Sequence, residues 1–199
     1  MESALFSAER VQASRDRIDR LGYFSEVTVD TVPVEGVNNQ VDVNYSVKEI
    51  PTGDLKLGLG YSTSDKVSLS GSINENNFMG TGNSLGLDID TSSSSRNATI
   101  TTRNPYLTKY GLSRDFSVYY RKYDASKLNI SDVKYTTTGV NLSFGVPISE
   151  SNKIFLGVNP ERNKISLAST GEVPPSYEQY TKGKDSFTTY ALTAGWSHD

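Results

Sequence analysis

The chain's single histidine, His198, stands beside Asp199 at the last two positions. A histidine next to a carboxylate is part of a Ser-His-Asp relay. That relay needs the imidazole held rigidly between both partners, and chain ends are where order is lost first. No catalytic residue is assigned, and the chain is expected not to be an enzyme. Asp88 and Asp90 project from one face of an alternating segment and could work as a carboxylate pair. On a water-filled face they are simply solvated. The Asp and Asn spacings match no calcium loop. The absence of cysteine removes disulfides, thiolate catalysis and the usual zinc sites, so no metal and no cofactor are expected. Gly58-Leu59-Gly60 and Gly80-Thr81-Gly82 lack the further glycine, lysine and helix of a phosphate loop, and read as turns and strand bends. The Asn-x-Ser/Thr triplets starting at Asn44, Asn97, Asn129 and Asn141 are what chance supplies.

With no covalent chemistry in view, the backbone is the candidate reagent, so the elements that carry it matter most. Hydrophobic residues make up 35% of the chain and mean hydropathy is -0.46. The longest apolar runs fall far short of the roughly 20 residues a spanning helix needs. A β-barrel wall escapes that test, because only every second residue meets lipid. Twelve tyrosines against seven phenylalanines and one tryptophan suit a membrane interface, though β proteins use tyrosine freely in any case. The formal net charge of -3 and the lack of a basic stripe argue against nucleic acid.

Two periods divide the chain. Over 1–50 the reading is helix, strand, strand. The helix spans Ser7 to Leu21, with Val11, Ile18 and Leu21 on one face, Ser7 as cap and Gly22 as left-handed stop. Val27 and Val29 alternate in the first strand, which Val32-Pro33-Val34-Glu35-Gly36 is expected to break. Val41, Val43, Tyr45 and Val47 alternate in the second. A helix on one hairpin is too small to be stable by itself, so further structure is expected ahead of it. Pro51-Thr52-Gly53 reads as the joint, where Gly53 permits a turn.

From 51 to 199 the period is two. Apolar residues alternate with Ser, Thr, Gly, Asn, Asp and Lys through Leu55–Tyr61, Val67–Ile73, Leu85–Ile89, Ala98–Ile100, Phe116–Tyr120, Val140–Val146, a shorter set at Ile154–Val158, and Tyr190–Trp196. This gives about eight strands of roughly nine to eleven residues, the length of a tilted membrane strand. Thr63-Ser64-Asp65 and Ser149-Glu150-Ser151 are short connections, while a long polar one with Pro174-Pro175 lies between Leu167 and Ser186. A soluble β-sandwich also alternates. Strand length and loop asymmetry favour the barrel without excluding the sandwich.

Arg17-Ile18-Asp19-Arg20-Leu21-Gly22-Tyr23-Phe24, with Val27, Val29 and Val41-Asp42-Val43, resembles the end of a POTRA domain. Pro51-Thr52-Gly53, then Gly58-Leu59-Gly60-Tyr61-Ser62, Asn77-Phe78-Met79-Gly80-Thr81-Gly82, Asn104-Pro105-Tyr106, Tyr120-Arg121-Lys122 and Pro147-Ile148-Ser149-Glu150 resemble, in order, the barrel of the BamA-type outer-membrane assembly factors in the POTRA-plus-barrel superfamily. Members of that family usually place leucine where Met79 stands and aspartate where Asn104 stands.

The resemblance implies a mainly β chain, with the N-terminal half of an antiparallel transmembrane β-barrel preceded by the C-terminal part of an α+β POTRA domain. The family's first POTRA strand, its late-loop arginine motif and its closing strand have no counterpart, so an internal fragment is expected, and the missing signal peptide fits that expectation. The implied setting is the bacterial outer membrane, with the N-terminal part in the periplasm. The implied partners are unfolded outer-membrane proteins, outer-membrane lipids and accessory lipoproteins, and the setting admits periplasmic chaperones.

The first barrel strand, Leu55, Lys56, Leu57, Gly58, Leu59, Gly60, Tyr61 and Ser62, becomes a pairing edge at a seam where an incoming barrel protein adds its terminal strand. A lower-ranked contact surface for a lipoprotein partner is Glu2 with Val41, Val43 and Tyr45. Two alternatives stay open: a related transporter that secretes or translocates a passenger, and a passive structural barrel.

Overall fold

The computed structural model describes residues 5–37, 39–108, 110–129, 132–149, 151–167 and 185–198. The chain divides into two compact units, Met1–Thr52 and Gly53–Asp199.

In the first unit, helix α1 (Ala8–Asp19) starts at Ser7, whose side-chain oxygen accepts from the Arg10 N–H. This satisfies one of the amides that every helix start leaves open. Gly22 then adopts a φ of +70°, the left-handed stop that only glycine enters without strain. Strands β1 (Phe24–Pro33) and β2 (Val41–Glu49) form an antiparallel hairpin pairing Val27 with Val47 and Val29 with Tyr45. The helix is tied to the hairpin through polar groups: Arg15 Nε donates to the Val27 carbonyl at 2.9 Å and Tyr45 Oη to the Val11 carbonyl at 3.4 Å. Val27 and Tyr23 are buried beneath it, while Val32, Val41 and Val47 stay exposed. Val32 and Pro33 belong to β1 and do not break it. Pro33 is the last residue, where a strand tolerates the missing N–H, and the turn begins at Val34.

The second unit is one antiparallel sheet of eight strands in chain order, from β3 at one edge to β10 at the other. They are β3 (Gly53–Ser62), β4 (Lys66–Glu75), β5 (Ser84–Thr91), β6 (Ser95–Asn104), β7 (Ser113–Asp124), β8 (Val133–Ser149), β9 (Asn152–Leu167) and β10 (Ser186–His198). Every connection joins neighbouring strands, so the sheet is a meander. Among the described residues β3 and β10 do not pair, so the sheet is open.

The register sorts side chains cleanly by face. One row runs Leu59, Leu69, Thr91, and another Leu55, Ile73, Leu87, Ile100, Val118, Val140. A third runs Phe144, Leu156, Ala194. The opposite face carries Lys56, Ser72, Asp88, Thr99 and Tyr119 in one row. The apolar face is the exposed one, with Leu57, Leu59, Tyr190 and Leu192 each more than 70% exposed. A globular sheet would hide that face, whereas a membrane wall presents it to lipid.

The later strands are longer than the alternation alone suggests. β7 to β10 run 12, 17, 16 and 13 residues. Most of the excess lies at the end away from Gly53, where Lys122, Thr136 and Lys164 take the outward face while Tyr123, Tyr135 and Ile165 stand on the inward one, so the apolar-out period fades. β9 is the largest correction, because it continues through Pro160. Its pairing with β8 skips Val140 and Asn141, at the point where Pro160 has no N–H to give. The Asn159 side-chain amide donates instead to the Val140 carbonyl at 2.9 Å. The long connection after Leu167, with Pro174-Pro175, lies outside the described residues.

Candidate functional site: the edge strand

β3 pairs only with β4 among the described residues. Its other flank is a row of open backbone donors and acceptors, a template for another strand. The sequence-derived segment Leu55–Ser62 lies wholly within it. Leu55, Leu57, Leu59 and Tyr61 are 64%, 81%, 78% and 74% exposed on the apolar face. Lys56, Gly58, Gly60 and Ser62 face the polar side, opposite Ser72, Ser70, Ser68 and Lys66.

Gly58 and Gly60 do more than loosen the strand. A Cβ at Gly60 would come within 2.5 Å of Ser68 Oγ, and one at Gly58 would collide with Ser70 Oγ. The neighbouring serines lie over the glycines and fill the space a side chain would take. Lys56 pairs with Asp54 at 3.1 Å. Together with Ser70, Ser72, Asp88 and Asp90 it lines a shallow cavity of about 320 Å³ against the polar face. Asp88 and Asp90 are thus parts of a wet wall beside a lysine.

The two ends of β3 are held differently. At its far end Ser62 Oγ accepts the Asp65 N–H at 2.8 Å. The Asp65 carboxylate then accepts hydrogen bonds from Ser94 Oγ and, at 3.1 Å, from Ser92 Oγ. This staples the β3–β4 turn to the β5–β6 turn. The Ser94 hydrogen bond is the main reason the Asp65 carboxyl sits below the usual carboxylate range, with Ser92 adding to it against a smaller desolvation effect. The Ser94 carbonyl accepts in turn from the Asp124 N–H at 2.7 Å, so the tie reaches β7.

At the near end, Gly53 is the first residue of β3, opposite Glu75. Its φ is ordinary, so it is not the turn glycine expected of the joint. A Cβ there would lie 2.5 Å from Glu75 Oε2, so any side chain at this position would have to displace the end of the Glu75 side chain. Pro51 and Thr52 lie between β2 and β3, outside both strands.

The other candidate residues separate. Tyr45 gives its hydroxyl to α1 and Val43 is half-buried, while Val41 remains exposed. Glu2 lies outside the described residues, as does Asp199. The His198 ring nitrogen Nδ1 meets Asn152 Oδ1 at 3.1 Å, and Trp196 Nε1 donates to the same oxygen at 3.1 Å.

One cluster escapes the sequence reading. On the polar face of β7–β10, Tyr119 Oη donates to Glu161 Oε2 at 2.6 Å and accepts from Asn159 Nδ2 at 2.9 Å. The Arg121 guanidinium sits 4.4 Å over the Tyr119 ring. Thr189 Oγ1 reaches Glu161 at 3.5 Å. The ring lies across Gly139, where a Cβ would run into it. The one available signal is Gly139 in a run of threonine and valine, a gap in an otherwise β-branched strand.

Comparison with known proteins agrees with this geometry. The family model described as the Omp85 superfamily domain matches residues 77–199. A second, a POTRA model described as a surface antigen variable number repeat, matches residues 1–50. The outer membrane protein assembly factor BamA of Neisseria meningitidis serogroup B is 30% identical over 210 residues, covering 100% of this chain and 26% of that protein. BamA of Buchnera aphidicola is 29% identical over 192 residues, covering 93% of this chain and 31% of that protein. This chain therefore spans about a quarter to a third of these relatives. The crystal structure of BamA from Haemophilus ducreyi lacking POTRA domains 1–3 superposes with a TM-score of 0.76 at 28% identity, over 100% of this chain and 40% of that one. CdiB from Escherichia coli shares the fold, with a TM-score of 0.54 at 16% identity, over 100% of this chain and 38% of that one.

Proposed function

The chain belongs to the Omp85 superfamily, and from that membership we propose that the protein assembles and inserts β-barrel proteins into the bacterial outer membrane, with β3 as the edge that templates incoming strands. The wall β3–β10 lies in the outer membrane and the α1–β2 unit in the periplasm. This sets the Gly53 end of β3 on the periplasmic side and the Asp65 turn outside. The observation that carries the proposal is the open flank of β3, on a strand whose Gly58 and Gly60 bring no side chain of their own to the polar face.

In lipid each unpaired backbone group costs several kcal/mol. An incoming strand that exchanges hydrogen bonds with a ready edge avoids that cost. The step makes and breaks hydrogen bonds only, with no covalent chemistry and no cofactor. The substrates are unfolded outer-membrane proteins. Val41 and the exposed flank of β2 are offered to accessory lipoproteins, and chaperones deliver substrate to the periplasmic end.

Disulfide trapping in the intact protein tests the template. This chain holds no cysteine, so Leu57→Cys, Gly58→Cys, Leu59→Cys and Gly60→Cys each introduce a single probe within this segment. Their partners are cysteines along the terminal strand of a nascent barrel protein. Crosslinks in one register are expected. Crosslinks only to the protein's own last strand, with growth unimpaired when that seam is locked, would sink the mechanism. Capture of secreted passengers in preference to barrel strands would point to the transporter reading instead.

A further inference from the structure

The lipid-facing side of β6–β9 carries a row of cations at its outer end. Arg96 stands directly opposite Lys122, Lys122 opposite Thr136, and Thr136 opposite Lys164. Arg162 shares the face, opposite Thr138. Cross-strand partners project to the same side of a sheet, and this side is the one that continues into Ile100, Val118 and Val140.

The charges are unbalanced. Among the described residues of the eight strands, that side carries two carboxylates. Glu75 lies at the opposite end, and Asp124 is already engaged by Lys134 at 3.3 Å and by the Ser126 N–H at 3.2 Å. No ion pair engages Arg96, Lys122, Arg162 or Lys164 among the described residues. Like charges directly opposite in a ladder, with Cβ atoms about 5 Å apart, repel. A lone cation at a membrane rim can extend its charge into water. Two opposed cations gain more from an anion placed between them.

We propose that this row binds the phosphate groups of an anionic lipid headgroup in the outer leaflet. The Arg96–Lys122 and Arg162–Lys164 groups are separated by β8, about two strand spacings or 10 Å from Lys122 to Lys164. Thr136 and Thr138 supply hydroxyl donors between them. A headgroup with two phosphates spans both groups, and guanidinium and ammonium donors suit phosphate oxygens. The choice of leaflet rests on the outer-membrane reading above, whereas lipid retention is measured independently of assembly activity.

The test is native mass spectrometry of the intact protein with a diphosphoryl glycolipid. Phosphatidylethanolamine serves as the neutral control and inorganic phosphate as competitor. The variants are R96Q/K122Q and the conservative R96K/K122R, each checked for a folded barrel by heat-modifiable gel mobility. Retention of the glycolipid is expected to fall roughly tenfold in R96Q/K122Q, to persist in R96K/K122R, and to resist millimolar phosphate. Equal retention by R96Q/K122Q and wild type overturns the site. Displacement by inorganic phosphate overturns the lipid assignment in favour of a free-anion site.

Discussion

Gly139 has no room for a side chain, because the Tyr119 ring occupies the space a Cβ would need. Gly139→Ala must therefore push Tyr119 off Glu161 and Asn159, at a cost of about 1–3 kcal/mol for an overpacked position. A lower unfolding temperature of the intact barrel, read by heat-modifiable mobility, would show it. An unchanged temperature would mean the ring moves freely. Asn159 acts through the backbone instead, its amide replacing the N–H that Pro160 lacks at the Val140 carbonyl. Asn159→Leu is expected to lose about 1 kcal/mol, the low end of the cost of stranding an acceptor, because the Val140 carbonyl is only partly buried. Pro160→Ala added to it should restore part of the loss by supplying a backbone donor. Failure of that rescue in the same unfolding assay would refute the substitution argument. Asp65 adds a pH dependence. Its pKa is lower folded than unfolded, so its contribution is fully present above the unfolded value of about 3.9 and fades as pH falls through the folded value. Wild type should thus outlast Asp65→Asn at neutral pH and converge with it in acid. A gap that does not change with pH would exclude the carboxylate as its source.

At the scale of elements, β3 combines an open flank, an exposed leucine row and two glycines beneath serine side chains. Gly58→Val with Gly60→Val would place branched side chains against Ser70 and Ser68 and favour a flatter, stiffer strand. The barrel should still form, since serine hydroxyls can rotate away. Insertion of substrate barrels into proteoliposomes should fall several-fold if the glycine-bearing edge is what admits a strand; undiminished insertion would reduce these glycines to packing. Much of this strand is legible in the sequence. Leu55, Leu57, Leu59 and Tyr61 alternate with small polar residues, and strict alternation names a half-lipid wall strand. Ser7 and Gly22 are legible because caps and left-handed stops have their own residue types. Gly53 misleads, because a glycine after Pro-Thr looks like a turn even where, as here, it is an ordinary strand residue without a positive φ. The extension of β9 past Val158 is hidden because Asn159-Pro160-Glu161-Arg162 has polar or charged residues on both faces and carries a strand-breaking signal that a neighbouring amide cancels. The Tyr119–Glu161 contact joins residues 42 positions apart, and no local pattern announces such a pair.

At the scale of the molecule, the sheet has two edges and one greasy face. β3 has 10 residues and β10 has 13, and an edge strand leaves about every second residue with an unpaired N–H and C=O. In lipid those groups cost several kcal/mol each, so the two edges together cost some tens of kcal/mol. That exceeds the roughly 5–15 kcal/mol by which a folded domain is stable. The eight-stranded wall therefore needs strand partners for both β3 and β10. Whichever strand pairs with β3 relieves the cost, which is the driving force the proposed template would use. Residues 53–199 expressed alone and offered lipid vesicles should give oligomers or protease-sensitive aggregates joined edge to edge, with no heat-modifiable monomer. A compact, protease-resistant monomer would mean that the sheet curls to pair β3 with β10 directly, and that the open flank on which the template rests can be closed from within.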